Sequence, residues 1–270
     1  MLQKLEVRSY TGLPQAGHVG IMQAGTVESN SANIRSALAR GLPELVPAPC
    51  SHDGTFVVVG SGFSVTGFLD EIREEQQKGR PICAVKGTHD WLLDNGVTPN
   101  LFVSVEPRSR PLRHVSQDTI YLLASRCSQD LFEQLKDAKV ILWHSWSPEK
   151  ECDEFLKLKK FAIGGGPTSG LRAINLGYVL GFRKFVLYGF DSCLAPDQDT
   201  KRFTGEKVGG AMKLDVWVNG KRFWCNGALA DQANQFQELY KAMGDITIEA
   251  KGDGLIANII AQRKRMGMRT

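Results

Sequence analysis

The sequence has no apolar run long enough to cross a membrane as a helix. Its longest unbroken stretches, such as Phe56-Val57-Val58-Val59, fall far short of the roughly 20 residues a bilayer requires. The opening Met1-Leu2-Gln3-Lys4-Leu5-Glu6 lacks the apolar centre of a secretion signal, so the expectation is a cytoplasmic protein with no membrane contact. The six cysteines, at positions 50, 83, 127, 152, 193 and 225, form no C-x-x-C, and the five histidines form no H-x-x-x-H. Neither a transition-metal or redox motif nor a disulfide framework is indicated. Cys83, inside an apolar stretch, reads as a small core residue. Excess charge is also missing from the body of the chain. The net +4 comes from Arg263, Lys264, Arg265 and Arg269 near the end, and residues 1–260 hold 29 basic and 29 acidic side chains. A basic helix end complements the negative pole of its own macrodipole, so no nucleic-acid partner is expected.

What is present is the composition of an ordinary globular protein, 270 residues with 42% hydrophobic side chains and 28 glycines, enough to bury a full core. The first fifty residues are polar, with helix potential over 29–40 and a proline-marked stop over 41–49. From Thr55 onward, short β-branched runs alternate with amphipathic segments, the pattern of βαβ units and a parallel sheet. Strands are expected near 55–59, 82–85, 101–105, 120–124, 140–143, 184–188 and 245–249. Helices are expected near 66–78, 88–95, 128–137, 149–159, 168–180, 228–243 and 254–265. Phe68, Leu69 and Ile72 follow helical spacing, with Glu71, Arg73, Glu74 and Glu75 on the opposite face. One hairpin interrupts the alternation, since residues 214–218 and 221–224 flank Asn219-Gly220, a strong type I′ turn signal. The polar, poorly patterned segment 192–213 before it reads as an insertion over one end of the sheet and a candidate lid.

Two glycine loops follow apolar stretches and open helices. The first is Gly60-Ser61-Gly62-Phe63-Ser64, where a strand-to-helix turn lets a backbone approach a phosphate and the helix start offers N–H groups. Ser64 either caps that helix or hydrogen-bonds a phosphate oxygen. The loop is not the dinucleotide fingerprint, because its third glycine is Gly67 and the second strand ends in Lys86 instead of an acid. Nor is it a Walker A loop, since no Gly-Lys-Ser/Thr follows. The second loop is Gly164-Gly165-Gly166-Pro167-Thr168-Ser169-Gly170, whose glycines imply close approach of a ligand or another backbone. Both loops are expected on the carboxyl edge of the sheet, where α/β proteins bind ligands. Three polar strand ends point there too: Lys86-Gly87-Thr88-His89-Asp90, Glu106-Pro107-Arg108 and Gly189-Phe190-Asp191-Ser192. Thr88 either caps the next helix or meets the ligand, and Asp191 either satisfies loop amides or acts in the site.

In this order the pieces resemble the motility accessory factor and 6-hydroxymethylpterin diphosphokinase MptE-like domain family, which is related to the small bacterial CMP-sialyltransferases. Gly60-Ser61-Gly62-Phe63-Ser64-Val65 is similar to the family's G-x-G-P-S-L opening. The stretch 95–107, ending Ser104-Val105-Glu106-Pro107, resembles its Pro-Asp to Asp-Pro segment. Gly165-Gly166-Pro167-Thr168-Ser169-Gly170 and the strand closing on Gly189-Phe190-Asp191 resemble its glycine loop and G-x-Asp strand, and Leu255-Ile256-Ala257-Asn258 the sialyltransferases' C-terminal helix. The resemblance spans roughly 30–260. It departs at Phe63, where proline is usual, at Glu106, where aspartate is usual, and at Arg222-Phe223-Trp224-Cys225-Asn226-Gly227, where the sialyltransferases carry a histidine base.

The resemblance implies an α/β, Rossmann-like three-layer sandwich with a mostly parallel sheet and a small hairpin insertion. Residues 1–50 would form a helical extension packed on the core, and 51–270 one nucleotide-binding domain with an insertion at about 192–226. It implies a transferase acting on a nucleotide co-substrate and a small-molecule or glycan acceptor, moving a glycosyl group from a CMP-sugar or diphosphate from ATP. The expected nucleotide-binding residues are Gly60, Ser61, Gly62, Ser64, Lys86, Thr88, Gly165, Gly166, Thr168 and Ser169. Glu106 and Asp191 are the expected catalytic residues, and in the diphosphokinase case the ligands of a Mg²⁺ ion. A general base must reach the acceptor and titrate near neutrality. With no histidine in place, His89, His144 and Cys225 are the substitutes to consider beside Glu106, and Trp91, Trp143 and Trp146 are available to stack a pterin. Two other readings stay open: a binding module that has lost its catalytic base, and a partner-binding protein using Trp217 and Trp224 of the hairpin.

Overall fold

A computed structural model describes residues 6–9, 25–146, 158, 160–166 and 168–267. In chain order its elements are β1 (Glu6–Ser9), α1 (Val27–Ala39), β2 (His52–Val59), a 3₁₀ turn (Phe63–Phe68), α2 (Leu69–Gln77), β3 (Ile82–Val85), α3 (Thr88–Asp94), β4 (Leu101–Ser104), β5 (Ile120–Ala124), α4 (Gln129–Gln134), β6 (Lys139–Ser145), β7 (Ala162–Ile163), α5 (Ser169–Val179), β8 (Phe182–Tyr188), β9 (Leu214–Val218), β10 (Lys221–Cys225), α6 (Gly227–Ala242), β11 (Thr247–Ala250) and α7 (Leu255–Arg265). The helix expected near 149–159 and Cys152 lie outside the described residues, apart from Leu158.

Eight strands form one parallel sheet in the order β11-β8-β2-β3-β4-β5-β6-β7. The chain starts in the middle at β2, steps outward through β7, then returns to add β8 on the other side of β2. That reversal opens a crevice at the carboxyl ends of β2 and β8, the position where such sheets take ligands. Strict alternation builds the three layers. Val57, Val59, Ile82, Ala84, Val186 and Tyr188 face one side and pack with Ile72 of α2 and Leu92 of α3. Phe56, Val58, Cys83, Val85, Phe185 and Leu187 face the other, against Leu171, Ile174 and Leu176 of α5. Burying both faces explains why these strands read as continuous apolar runs.

Three features differ from the sequence expectation. Residues 6–9 form a strand antiparallel to β9, so the hairpin becomes a three-stranded sheet of order β1-β9-β10. Four residues, three of them polar, acquire strand geometry only by pairing with β9, a partner that local pattern does not show. The helix expected from 66 begins earlier, as 3₁₀ turns from Phe63, because Asp191 Oδ2 accepts the Ser64 N–H at 3.0 Å and fixes its start. Trp217 and Trp224, which a partner-binding hairpin would expose, are half-buried. The Asn219-Gly220 turn has positive φ at both residues (54° and 75°), as the type I′ hairpin demands. Among the described residues no helix is long and apolar enough to cross a membrane.

Helix α1 supports the crevice from outside. Its start carries a capping box, with Thr26 and Ser29 each accepting from the other's backbone N–H. Ser36 and Arg40 both donate to Gln129 Oε1 of α4. Asn33 Nδ2 donates to the carbonyls of Arg126 (3.1 Å) and Pro107 (3.4 Å), tying the exits of β4 and β5 together.

Candidate functional site

The crevice between β2 and β8 widens into a cleft of about 310 Å³. Its floor is the meeting of two loops. Gly60 N–H donates to the Tyr188 carbonyl at 2.7 Å and Gly62 N–H to the Gly189 carbonyl at 2.8 Å. A methyl group on Gly60 would lie 2.7 Å from Gly189 O, and one on Gly62 would lie 2.6 Å from that oxygen and press into Asp191 Oδ2. The first glycine pair is therefore required for loop-to-loop packing, and its two amides are already satisfied by protein carbonyls. The positive charge of this cleft comes from elsewhere.

It comes from side chains. Among the described residues the lining includes Lys86, Arg108, Arg126, Arg172, Lys201 and Arg202 against two carboxylates, Glu106 and Asp191. Lys86 closes β3 in the left-handed region (φ 55°), a conformation that costs a non-glycine residue about 1–2 kcal/mol. Burial, then the neighbouring Arg202, bring its ammonium down to about 8. Arg126 follows β5, and Arg172, in the first turns of α5, donates from Nη2 to the Trp146 carbonyl at 2.9 Å. Lys201 and Arg202 arrive on the insertion, which is anchored where Phe203 donates its N–H to Ser61 O (3.3 Å) and lays its ring on Trp91 with 5.7 Å between centroids.

The two carboxylates are differently placed. Glu106 is buried and accepts from Arg108 Nε (2.7 Å) and Nη2 (3.0 Å), with Lys86 Nζ 4.0 Å away. Its burial opposes ionisation, but the Arg108 hydrogen bonds and the Lys86 and Arg108 charges win and hold the carboxyl below its usual range. Asp191 is buried between the first glycine loop and Gly254, where it also accepts the Leu255 N–H on its backbone carbonyl at 2.7 Å. Burial pushes its carboxyl up, against the Ser64 hydrogen bonds. Arg108 takes both oxygens of Glu106, whereas Asp191 accepts the Ser64 N–H on Oδ2. Among the described residues no cluster of three or more His, Cys, Asp or Glu is arranged to hold a metal ion.

Of the residues expected to bind nucleotide, the cleft brings together Gly60, Ser61, Gly62, Lys86, Gly166, Thr168 and Ser169, with Glu106 and Asp191. Ser64, Thr88 and Gly165 are not in its lining. Thr88 is fully buried, its hydroxyl accepting from Val85 N–H and lying 2.9 Å from the Val59 carbonyl, so it joins the ends of β2 and β3. Gly165 (φ 111°) turns against Asn175. Thr168 Oγ1 accepts from Leu171 N–H as the cap of α5. The hydroxyls of Ser169 and Ser192 are buried in the lining with no hydrogen-bond partner among the described residues, the kind of group a ligand satisfies.

None of the substitute bases reaches the cleft. His89 is buried between Phe102 and Tyr121, His144 faces Glu44 at 3.3 Å, and the Cys225 thiol, raised by burial, lies 3.3 Å from the Ser192 carbonyl. Asn226, in the stretch where the sialyltransferases have histidine, does line the cleft, but its Oδ1 caps α6 by accepting from Leu229 N–H. Trp91, Trp143 and Trp146 are absent from the lining, and its aromatic residue is Phe190, packed beneath Gly60 and Gly170. Arg126, Arg172, Lys201 and Arg202 went unread in the sequence. Arg126 was findable by the strand-end rule that picked out Lys86; the insertion pair carried no local signal.

The family model described as 6-hydroxymethylpterin diphosphokinase MptE-like matches residues 29–197. The chain belongs to this family. As an MptE-like protein it shares its fold with the MAf glycosyltransferase from Magnetospirillum magneticum AMB-1, with 14% identity, a TM-score of 0.67 and 88% of the chain covered. The chain spans 38% of that protein's length. A mammalian sialyltransferase, solved alone and in complex with Gal-beta-1-3GalNAc-ortho-nitrophenol, aligns more loosely, with 14% identity over 84% of this chain and 80% of its own and a TM-score of 0.39. No protein of curated function matches the sequence.

Proposed function

We propose that this MptE-like chain is a nucleotide-dependent transferase whose switch-point cleft binds the phosphate of a nucleotide-sugar and moves the glycosyl group to an acceptor hydroxyl. The observation behind this reading is the cationic lining, Lys86, Arg108, Arg126, Arg172, Lys201 and Arg202 against Glu106 and Asp191, at the point where the strand order reverses. Fixed cations stabilise the charge that develops on a departing phosphate without reorganising. The family takes its description from a diphosphokinase and the structural neighbour its name from glycosyl transfer. Glu106 favours the second, because diphosphate transfer calls for Mg²⁺ ligands and Arg108 takes both of its oxygens.

In this reading the acceptor oxygen bonds to the anomeric carbon as the carbon–oxygen bond to phosphate breaks. The phosphate keeps that electron pair and remains against the cations, and the acceptor proton passes to Asp191. Burial raises Asp191 toward the range a base needs, whereas Glu106, held ionised by Arg108 and Lys86, anchors those cations. A second reading is a nucleotide-binding module without turnover, and the absence of a histidine from the lining among the described residues favours it. Thermal shift with CMP, CTP, ATP, ADP, GTP and NAD, each with and without Mg²⁺, tests the binding. A ligand at about a hundred times its Kd adds about 2.7 kcal/mol. Stabilisation by CMP or CTP without metal is expected; a response to ATP only with Mg²⁺ moves the reading to diphosphate transfer, and silence from every nucleotide ends it. Asp191→Asn should then lower kcat about a hundredfold with nucleotide affinity unchanged. A variant as active as wild type removes Asp191 from the chemistry.

A further inference from the structure

Burial sorts the cleft cations into two groups. Arg126 and Arg172 are 7% exposed and lie within. The others are more open: the side chains of Lys86, Lys201 and Arg202 are 30%, 23% and 32% exposed, and those of Arg108 and of Arg110, which lies beside the lining, are 58% and 61% exposed. Apart from Lys86 they arrive on two arms. On the turn after β4, Glu106 grips Arg108 through both oxygens and lies 3.7 Å from Arg110 Nε and 4.0 Å from Lys86 Nζ. On the insertion, Glu206 pairs with Lys201 at 2.8 Å and Arg202 at 2.9 Å. Five cations thus share two carboxylates. The arms face one another across the cleft, since Arg108 of the first and Lys201 and Arg202 of the second line it together with Lys86. Phe203, held by Ser61 O and Trp91, keeps the insertion arm over the cleft and prevents the like charges from separating into solvent.

The cations of the two arms are additional to Lys86, Arg126 and Arg172, to which the proposed function gives the phosphate bound within. We infer that the mouth is a second anion site, where Arg108, Arg110, Lys201 and Arg202 take a phosphate-like group additional to the one bound within. The inference rests on the cleft being a nucleotide site. Such a group belongs either to the donor, as an outer phosphate, or to an acidic acceptor.

Titration calorimetry of the full chain with CMP and CDP, and with AMP and ADP, separates these sources when wild type is compared with Arg110→Gln/Lys201→Gln/Arg202→Gln. A second anion on the donor makes the diphosphate bind at least about tenfold tighter than the monophosphate in wild type, the worth of one charge-assisted hydrogen bond, and within about twofold in the variant. If mono- and diphosphate bind wild type alike, inorganic phosphate titrated into the CMP- or AMP-saturated protein should bind, and the variant should lose that binding, which assigns the group to the acceptor. Nucleotides that bind alike, with no phosphate uptake by the saturated protein, overturn the second site and leave the nucleotide reading standing. Failure of every nucleotide to bind overturns both. Arg110→Gln alone, which removes the 3.7 Å ion pair to Glu106, repeats the comparison if the triple variant's ligand-free unfolding midpoint falls.

Discussion

The exits of β2 and β4 open onto the same cleft and are built by opposite means. At the β2 exit, glycines let two loops interlock, and the amides of Gly60 and Gly62 end on carbonyls of the β8 exit. At the β4 exit, Glu106 and Arg108 are held together by charge, with Lys86 and Arg110 beside them. The first arrangement is tight and electrically quiet; the second is open and carries excess positive charge. A glycine motif at a strand end therefore reports how closely backbones pass, and the ligand is better inferred from the charges around it.

The strongest break of this comparison is Gly62→Ala. The added methyl meets Asp191 and the Gly189 carbonyl, neither of which can retreat, so a loss of about 3 kcal/mol in denaturant unfolding is expected. A glycine needed only to admit a phosphate would leave ligand-free stability unchanged.

Asp191→Asn probes the same floor in the other direction. Burial raises this carboxyl above its ordinary 3.8, so ionisation opposes folding, and wild-type stability falls as pH rises through the window above that value. The asparagine still offers an oxygen to Ser64 N–H and carries no buried charge. Its unfolding midpoint should exceed that of wild type at pH 7 and converge with it below about pH 4.

Glu106→Gln tests the charged wall, with the smallest effect. The Glu106 carboxyl is held below its ordinary 4.5, so its contribution is present above that value and disappears as pH falls through the lowered one. Because Arg108 is half exposed, the expected loss at pH 7 is about 1 kcal/mol. The gap between the variant's and the wild type's unfolding midpoints should close in acid. A gap that stays constant with pH would mean that packing, not charge, holds this wall.

Much of the fold was legible in the sequence because its strands are buried on both faces. Phe56 to Val59, Ile82 to Val85 and Phe185 to Tyr188 announce themselves as apolar runs between amphipathic helices. The strand at 6–9 and the two-residue β7 were not, since each exists only through its partner strand. The glycine loops and the strand-end groups Lys86, Glu106 and Asp191 were read from position, and all reach the cleft.

By itself, the sequence determined the alternation of β and α, the carboxyl edge as the place to look, and part of the set of residues that line it. Periodicity and glycine placement are local, and local patterns survive in one dimension. Only the tertiary structure decided that the glycine amides are taken, that Thr88 and Ser64 stay out of the lining, and that Lys201 and Arg202 come into it. Those outcomes depend on which distant groups arrive within hydrogen-bond or Coulomb range, and that is settled when the insertion folds back over the sheet.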